Sequence, residues 1–528
     1  MTQPSRFFVA QHYPKLLLLG FIIWHGFVLV WPAITDFNDG RFLLHMDERI
    51  SYDQIKPITQ ARGPVDLVVA LVGSDFRYGR LMYVLPAAVA GASDVIFGES
   101  GFISSIRLFF YLSILASALL VFKMGRYGWL SALAAITILS LPYTEYFATL
   151  PKPDAPQVLC LLIGLLALSK HRPLIAGLFI GLAMGFKLSS LFALPVLAVW
   201  LVSAVLRARL GDTQTSLTKA NTWRFIGGFG LGMLANVPIL LVIPYGWEVY
   251  LHSTIGNSAH GSDILGLPIV LWLKGFPQAV GGGLNTVAFG ALFALAAAVV
   301  MRHLPKARLQ SLPLSVLLLG IALTWFLAIV FTTPRLWGHY LWPSYVLLIA
   351  GLNLYLTHAP NTGWFPKTVR TVYLLGLLAI CANAYALQNN RYQTQLPRPT
   401  ATQQLRLESQ YAQVQDYLQN LPSASEPWLI HFDPRLYQVG STQAYSIENY
   451  WGPYHLWSQT PHAIIVQGQI VETSSQTRTE HDLELNEAHA LAMPRLRAPH
   501  GNCQTAPCYE LVLNRDDLAI WQKISQDP

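Results

Sequence analysis

Long apolar segments recur along the first three quarters of this 528-residue chain and constrain its fold more than any other feature. Only 12% of the residues are charged and 53% are hydrophobic, whereas a soluble domain has about 25% charged residues. Because a helix needs roughly 20 mostly apolar residues to cross a bilayer, the pattern predicts a mainly α, polytopic membrane protein. About eleven candidate spans are 15–33, 103–122, 128–143, 156–169, 173–186, 190–206, 224–243, 282–301, 312–331, 340–357 and 370–387.

Basic residues are concentrated in the loops on one side of these spans. The segments that share a side with the N-terminus are 1–15, 123–127, 170–172, 207–224, 302–308 and 358–370. They carry fifteen basic residues and one acid, whereas segment 34–102 holds nine acids and six bases. The positive-inside rule therefore predicts a cytoplasmic N-terminus and, after an odd number of spans, a C-terminal region on the outer face. The sequence has no Asn-x-Ser/Thr sequon, which favours a bacterial inner membrane and a periplasmic outer face.

The chain is predicted to form two domains, with the boundary after residue 388. Residues 1–388 form the transmembrane domain with the outer loop 34–102, in which Leu81–Val89 is expected to be a helix lying at the membrane surface. Residues 389–528 are polar and are expected to form a small extracytoplasmic α/β domain. Its predicted elements are a helix at 403–421, strands at 428–432, 463–466 and 509–513, and a closing helix at 518–524.

Two adjacent carboxylates, Asp47 and Glu48, follow the first candidate span within about fifteen residues. Adjacent carboxylates raise the pKa of one of the pair, which suits a proton acceptor. In the predicted orientation the pair faces outside, where a carboxylate can act as a base on an incoming substrate. The alternative is that these are solvated loop acids or a helix N-cap.

Three further positions place charge at outer ends of spans. Lys152 and Asp154 precede the fourth span, where Asp154 can also act as a helix N-cap. Lys187 interrupts an apolar stretch, and a cation at such a position is costly enough to indicate a function. It can instead be a lysine that extends from a helix end to the interface.

Arg335, His339 and Tyr340 form the fourth candidate group, between the ninth and tenth spans. Arginine binds phosphate through two parallel hydrogen bonds, and histidine can add a third. The alternative is an interfacial belt of Trp, Tyr and Arg, which is common in membrane proteins.

Several function classes are not supported by the sequence. It contains no phosphate-binding Walker loop, no dinucleotide fingerprint and no Gly-x-Ser-x-Gly motif, and it lacks the long basic run typical of nucleic-acid binding. A cytosolic nucleotide-sugar donor is therefore not expected. A donor carried by a lipid and presented outside fits the pattern better.

The chain resembles the GT-C superfamily of polytopic glycosyltransferases, which includes protein O-mannosyltransferases and lipid A aminoarabinose transferases. The resemblance covers roughly residues 15–390. It rests on Asp47-Glu48, on Tyr78-Gly79-Arg80-Leu81-Met82-Tyr83 with the segment leading to Arg107, on Lys152-Pro153-Asp154, and on Gly177 to Lys187.

The resemblance implies an inverting glycosyltransferase that uses a polyprenyl-phosphate sugar. Asp47 would be the general base, and Glu48 and Asp154 would orient the acceptor or tune Asp47. Lys187 and Arg335 would neutralise the leaving phosphate, in accord with the stabilisation of developing charge.

Three matters stay open at the level of sequence. The acceptor hydroxyl can belong to a glycan, a lipid or a protein. Some relatives use a divalent metal and others do not, so the metal is unknown. A transporter or flippase of a lipid-linked sugar is the main alternative, although the polar candidates cluster at outer span ends and not at mid-membrane, where a transporter places its site.

Overall fold

The computed structural model describes most of the helical part of the chain and five strands near its end. The described residues are 12–30, 46–72, 78–209, 219–242, 244–248, 250–251, 268–303, 313–333, 338–359, 362–386, 409, 412–413, 416, 429–431, 444–446, 463–467, 509–515 and 518–523. They fall into two compact units. One comprises Met1–Asp36 with Ser51–Tyr392, and the other comprises Phe37–Ile50 with Gln393–Pro528.

The larger unit is helical in its described residues. Its helices, numbered along the chain, are α1 Tyr13–Trp24, α2 Met46–Gln60 (which begins in the smaller unit), α3 Pro64–Val72, α4 Leu81–Met124, α5 Trp129–Leu139, α6 Thr144–Thr149, α7 Asp154–Ser169, α8 Pro173–Phe186, α9 Leu194–Arg209, α10 Lys219–Asn236, α11 Ile239–Val242, α12 Pro268–Ala279, α13 Gly283–His303, α14 Leu314–Thr332, α15 Trp342–His358 and α16 Trp364–Ala386. A π-helical turn, His25–Val30, extends α1, and 3-10 turns occupy Leu188–Ala193 and Gly338–Leu341.

Each of the eleven predicted spans contains helix among its described residues, but the helix bounds differ from the predicted ones and the segment 224–243 contains two helices, α10 and α11. Among the described residues, four helical stretches are long and apolar enough to cross a membrane: Gly101–Met124, Gly283–His303, Leu314–Thr332 and Trp364–Tyr385. The number of eleven spans and the orientation of the termini stay predictions.

The segment Leu81–Val89 is helical, as the sequence predicts, but it is the start of α4, which runs without a break from Leu81 to Met124, a length of 44 residues. Its location at the membrane surface stays a prediction. Pro86 lies inside this helix and removes one backbone hydrogen bond near its start, but it does not end the helix. The predicted outer loop 34–102 therefore contains α2, α3 and the first half of α4.

Glycines bring the backbones of α8 and α10 into contact. They recur at every fourth position, at Gly177, Gly181 and Gly185 on α8 and at Gly228 and Gly232 on α10. A methyl group at any of these positions would meet atoms of the opposite helix. Small residues at this spacing allow helices to approach closely enough for direct backbone packing, so the two helices form one tightly packed pair.

Buried polar side chains make specific hydrogen bonds inside the helical unit. Near the predicted inner end of α4, the buried Asn353 donates from Nδ2 to the carbonyl of Val121 at 3.2 Å and accepts from the Ser131 hydroxyl at 3.2 Å. Most of the core is aromatic and aliphatic, as in the stacking of Phe289 on Tyr345 with ring centroids 4.0 Å apart.

The smaller unit contains a five-stranded sheet, with strands β1 Leu429–His431, β2 Ala444–Ser446, β3 Ala463–Gln467, β4 Tyr509–Arg515 and β5 Leu518–Lys523. The strand order is β2-β1-β3-β5-β4. Strand β1 is parallel to β2 and β3, while β5 is antiparallel to β3 and β4. The three strands predicted around residues 430, 465 and 511 are confirmed.

The closing helix predicted at 518–524 is wrong, because Leu518–Lys523 is strand β5, paired on both sides. A run of four apolar residues, Leu518 to Trp521, is too short for periodicity to separate a helix from a strand. Of the helix predicted at 403–421, Ser409, Ala412, Gln413 and Asp416 are described, and they are helical. The assignment of 389–528 as an extracytoplasmic α/β domain stays a prediction.

Candidate functional site

Asp154 and Lys187 form an ion pair in the helical unit. Lys187 Nζ lies 2.9 Å from Asp154 Oδ1 and 3.0 Å from Oδ2. The carboxyl side chain is 2% exposed and the lysine side chain is 17% exposed. Two residues that the sequence predicts as separate substrate contacts are therefore partners of each other.

The local backbone explains why these two side chains meet. Asp154 is the first residue of α7, where an acid is favoured by the positive end of the helix dipole. Lys187 follows the last residue of α8 and has extended backbone angles of −154° and 129°. The hydroxyl of Ser190 donates to the carbonyl of Ala183 at 3.1 Å and supplies a hydrogen bond at the helix end where backbone donors run out.

Tyr340 lies beside the ion pair. Lys187 Nζ is 4.9 Å from the centroid of the Tyr340 ring, within the range of a cation–π contact. An ammonium has three N–H groups, so the carboxylate and the ring together engage the cation from two sides. The ammonium is thus paired and shielded on two sides, and the 17% of the side chain that stays exposed is the part open to a further contact.

His339 joins the same group through aromatic contacts. Its ring centroid lies 4.6 Å from that of Tyr340, 6.0 Å from that of Tyr143 and 6.2 Å from that of Phe147. The indole of Trp342, two residues after Tyr340, donates to the hydroxyl of Thr144 at 3.0 Å. That bond ties the start of α15 to the start of α6 and keeps the two aromatic segments together.

Lys152 occupies the loop that leads into α7. It is partly buried, and its backbone N–H donates to the carbonyl of Leu150 at 2.8 Å. The next loop carbonyl, that of Pro151, accepts a hydrogen bond of 3.0 Å from the hydroxyl of Ser51 in α2. The loop that presents Asp154 is thus held by α2.

The remaining predicted site residues lie outside the described parts of the structure. Asp47 and Glu48 belong to the first turn of α2, but their side chains are not among the described ones, and Arg335 falls in the undescribed segment 334–337. Their roles stay predictions. Among the residues that the structure does describe, no three His, Cys, Asp or Glu side chains converge on a common point. The structure therefore identifies no metal site in that part of the chain.

Two buried arginines were not predicted as site residues. Arg80 is 4% exposed, donates from Nη1 to Gln54 Oε1 at 3.1 Å and lies over the ring of Tyr83. Arg107 is fully buried within α4. Both lie in segments quoted for the resemblance, and a cation in or beside an apolar helix is the signal that would have identified them.

Asn236, the last residue of α10, was also missed. Its carbonyl accepts the N–H of Arg80 at 2.6 Å, and its Oδ1 accepts the N–H of Leu81 at 3.0 Å. The N–H of Gly79 donates to the carbonyl of Phe186 at 3.2 Å. The ends of α8 and α10 therefore hold the start of α4, which fixes Arg80 near the end of α8 that carries Lys187.

Tyr250 packs beneath the end of α8. It is fully buried with Val237 and Ile239, and its hydroxyl donates to the carbonyl of Met184 at 3.4 Å. Burial raises the pKa of Tyr250 above its ordinary value, so the phenol stays neutral at physiological pH and acts as a donor here.

The Asp154–Lys187 pair leads to a testable expectation for stability. We expect Lys187→Met to lower the free energy of unfolding by about 2 kcal/mol, less than the roughly 3–5 kcal/mol for a fully buried pair because the ammonium keeps some exposure. The double variant Asp154→Asn with Lys187→Met should be less destabilised than the sum of the two single variants. Unfolding in detergent measures this cycle.

The exposed Lys170→Met is the matched control for that cycle and should change stability by less than about 0.5 kcal/mol. Strictly additive effects of the Asp154 and Lys187 substitutions would contradict a direct pair.

Comparisons with known proteins identify the fold. No model of a protein family matches the sequence, and neither does any curated protein. The chain is similar to the crystal structure of ArnT from Cupriavidus metallidurans in the apo state, with 11% sequence identity, 95% of this chain and 98% of that chain covered, and a TM-score of 0.52. The ArnT structure bound to undecaprenyl phosphate matches with 12% identity, 98% and 99% coverage, and a TM-score of 0.47.

The likeness to apo ArnT shows that the chain has an ArnT-like fold over nearly the whole length of both chains. Together with the apolar helices, it identifies an integral membrane protein. At this level of identity the likeness shows the fold alone.

Proposed function

We propose that this protein is an integral-membrane glycosyltransferase that moves a sugar from a polyprenyl-phosphate donor to an acceptor hydroxyl on the outer, periplasmic face. The observation that carries the proposal is the group formed by Asp154, Lys187, His339 and Tyr340 within a GT-C-like fold. Four residues selected from sequence as substrate contacts, on three separate segments, come together in one place.

This group has the chemistry that a lipid-linked sugar requires. The aromatic rings of Tyr340 and His339 offer apolar faces, while the buried carboxylate of Asp154 holds the Lys187 ammonium beside them. Lys187 supplies positive charge next to a deeply buried carboxylate. Its ammonium reaches a phosphate oxygen when one N–H turns from the Tyr340 ring, and Arg335 is proposed to supply the second cation.

The proposed reaction is a direct displacement with inversion. Asp47 removes the proton of the acceptor hydroxyl, the acceptor oxygen forms a bond to the anomeric carbon, and the bond from that carbon to the phosphate oxygen breaks. Polyprenyl phosphate leaves with the electron pair, and the cations offset its charge. Glu48 and Asp154 are proposed to orient the acceptor or to tune Asp47, and Lys152 to contact substrate.

A reconstituted assay tests this function. The full chain, purified into liposomes that contain a polyprenyl-phosphate sugar, is expected to release polyprenyl phosphate and glycosylate an added envelope acceptor. Mass spectrometry of envelope glycans from cells with and without the gene identifies that acceptor. Movement of the lipid-linked sugar between leaflets without transfer would instead indicate a transporter.

A further inference from the structure

Gln157 lies one helical turn after Asp154 on α7 and is fully buried. Its Nε2 lies 2.7 Å from Ser190 Oγ, 2.9 Å from the carbonyl oxygen of Lys187 and 3.1 Å from Ser189 Oγ. The three acceptors belong to Lys187 and to the first turn of the 3-10 segment Leu188–Ala193 that follows α8. One amide group therefore contacts the start of the break between α8 and α9.

The orientation of this amide follows from its neighbours. The carbonyl of Lys187 can only accept, so the group facing it must be the NH₂ end. The Ser190 hydroxyl donates to the carbonyl of Ala183, so towards Gln157 it is an acceptor. Two amide hydrogens are shared among three acceptors, with the two shortest distances to Ser190 and Lys187.

The other end of the same side chain has no such network. Gln157 Oε1 is buried and has no hydrogen-bond partner among the residues that the structure describes. A buried acceptor without a donor is unfavourable, so saturation of hydrogen bonds does not explain a glutamine here. The hydrogen bonds that its Nε2 group donates do explain it.

The same face of α7 thus holds both ends of Lys187. Asp154 and Gln157 are three residues apart, which places them on one side of the helix. The carboxylate binds the ammonium, and the amide binds the main-chain carbonyl of the same lysine. With the backbone extended at that residue, these two anchors fix the direction in which the lysine side chain extends.

We infer that Gln157 is a positioning residue, which holds the main chain at Lys187 so that the ammonium stays on Asp154. The meaning of this role for catalysis rests on the proposed glycosyltransferase function, but the positioning itself does not. A binding role for the Gln157 side chain is disfavoured because it is fully enclosed.

The reactivity of Lys187 tests the inference without any transfer assay. The full chain in detergent is treated with an amine-reactive acyl ester at fixed pH, and labelling of Lys187 is followed by mass spectrometry. In the native protein the paired ammonium should react slowly. We expect Gln157→Met to speed labelling by roughly 3- to 10-fold, the range given by the loss of one net hydrogen bond.

A second variant and a matched control separate positioning from general loosening. Gln157→Asn keeps an amide that is one methylene too short to reach the Lys187 carbonyl, and it should also speed labelling. Asn353→Leu removes another fully buried amide far along the sequence, so it should leave Lys187 labelling unchanged. Unchanged labelling in both Gln157 variants, or an equal rise in Asn353→Leu, would overturn the inference.

The rate of glycosyl transfer gives a result that is separate from the labelling of Lys187. If the proposed function holds, Gln157→Asn should lower kcat for transfer more than it raises KM for the donor. Loss of transfer in every preparation, with the labelling pattern intact, would count against the function and leave the positioning role standing.

Discussion

Asp47→Asn is expected to lower glycosyl transfer by roughly 10²- to 10⁴-fold, the range that a positioned general base contributes. The amide has nearly the shape of the carboxylate but does not take a proton at physiological pH. Folding should be preserved because the substitution changes no volume. Initial rates of transfer in liposomes, beside the unfolding midpoint in detergent, measure the two effects separately.

Two further substitutions sharpen that test. Asp94→Asn, an exposed acid in the same predicted outer loop, should leave transfer unchanged. Glu48→Gln shows which of the adjacent carboxylates takes the proton, because only the loss of the base should produce the full decrease. Full activity in Asp47→Asn would remove Asp47 from the mechanism.

Gly228→Ala is expected to destabilise the protein by at least about 3 kcal/mol, at the upper end of the range for overpacking. The added methyl group would meet the carbonyl oxygen of Leu174 in the backbone of α8, which has no side-chain freedom to yield. The helices would have to separate, and the contacts of Gly181 and Gly232 would be lost with them. Thermal unfolding and recovery after detergent extraction measure this.

Gly227→Ala, one residue earlier on α10, is the matched control. A methyl group there meets nothing within 4 Å, and alanine is favoured over glycine in a helix by up to about 1 kcal/mol. We therefore expect unchanged or slightly higher stability. Similar losses for the two neighbours would show that α8 and α10 are not packed through their backbones.

The helical part of the fold was predictable from the sequence because a helix that crosses lipid must consist mostly of apolar residues, and such segments are visible in the composition. Each of the eleven apolar segments contains helix among its described residues, including the two separated by the break at Lys187. The start of α4 was not predictable in the same way. The bonds that fix this start come from Asn236 to Arg80 and Leu81, from a segment more than 150 residues away along the chain.

The candidate site was predictable only as a list of residue types. Charged residues at span ends identified Asp154 and Lys187, but a single sequence does not reveal that they bind each other. Gln157 and Asn236 carry no charge and sit in or beside apolar runs, so nothing in composition marks them. The glycine spacing on α8 and α10 was visible in the sequence, and a search for small residues at every fourth position would have predicted the close pair.

The Asp154–Lys187 pair has a consequence for how the protein responds to salt. A carboxylate and an ammonium 2.9 Å apart present a dipole, whose field decays faster with distance than that of a single cation. The pair by itself therefore attracts no anionic lipid from afar, and the proposed lipid-linked donor would reach it by lateral diffusion in the bilayer. Raising the ionic strength from 0.1 to 1 M shortens the Debye length from about 10 to about 3 Å, which weakens exposed ion pairs but leaves this enclosed one in place.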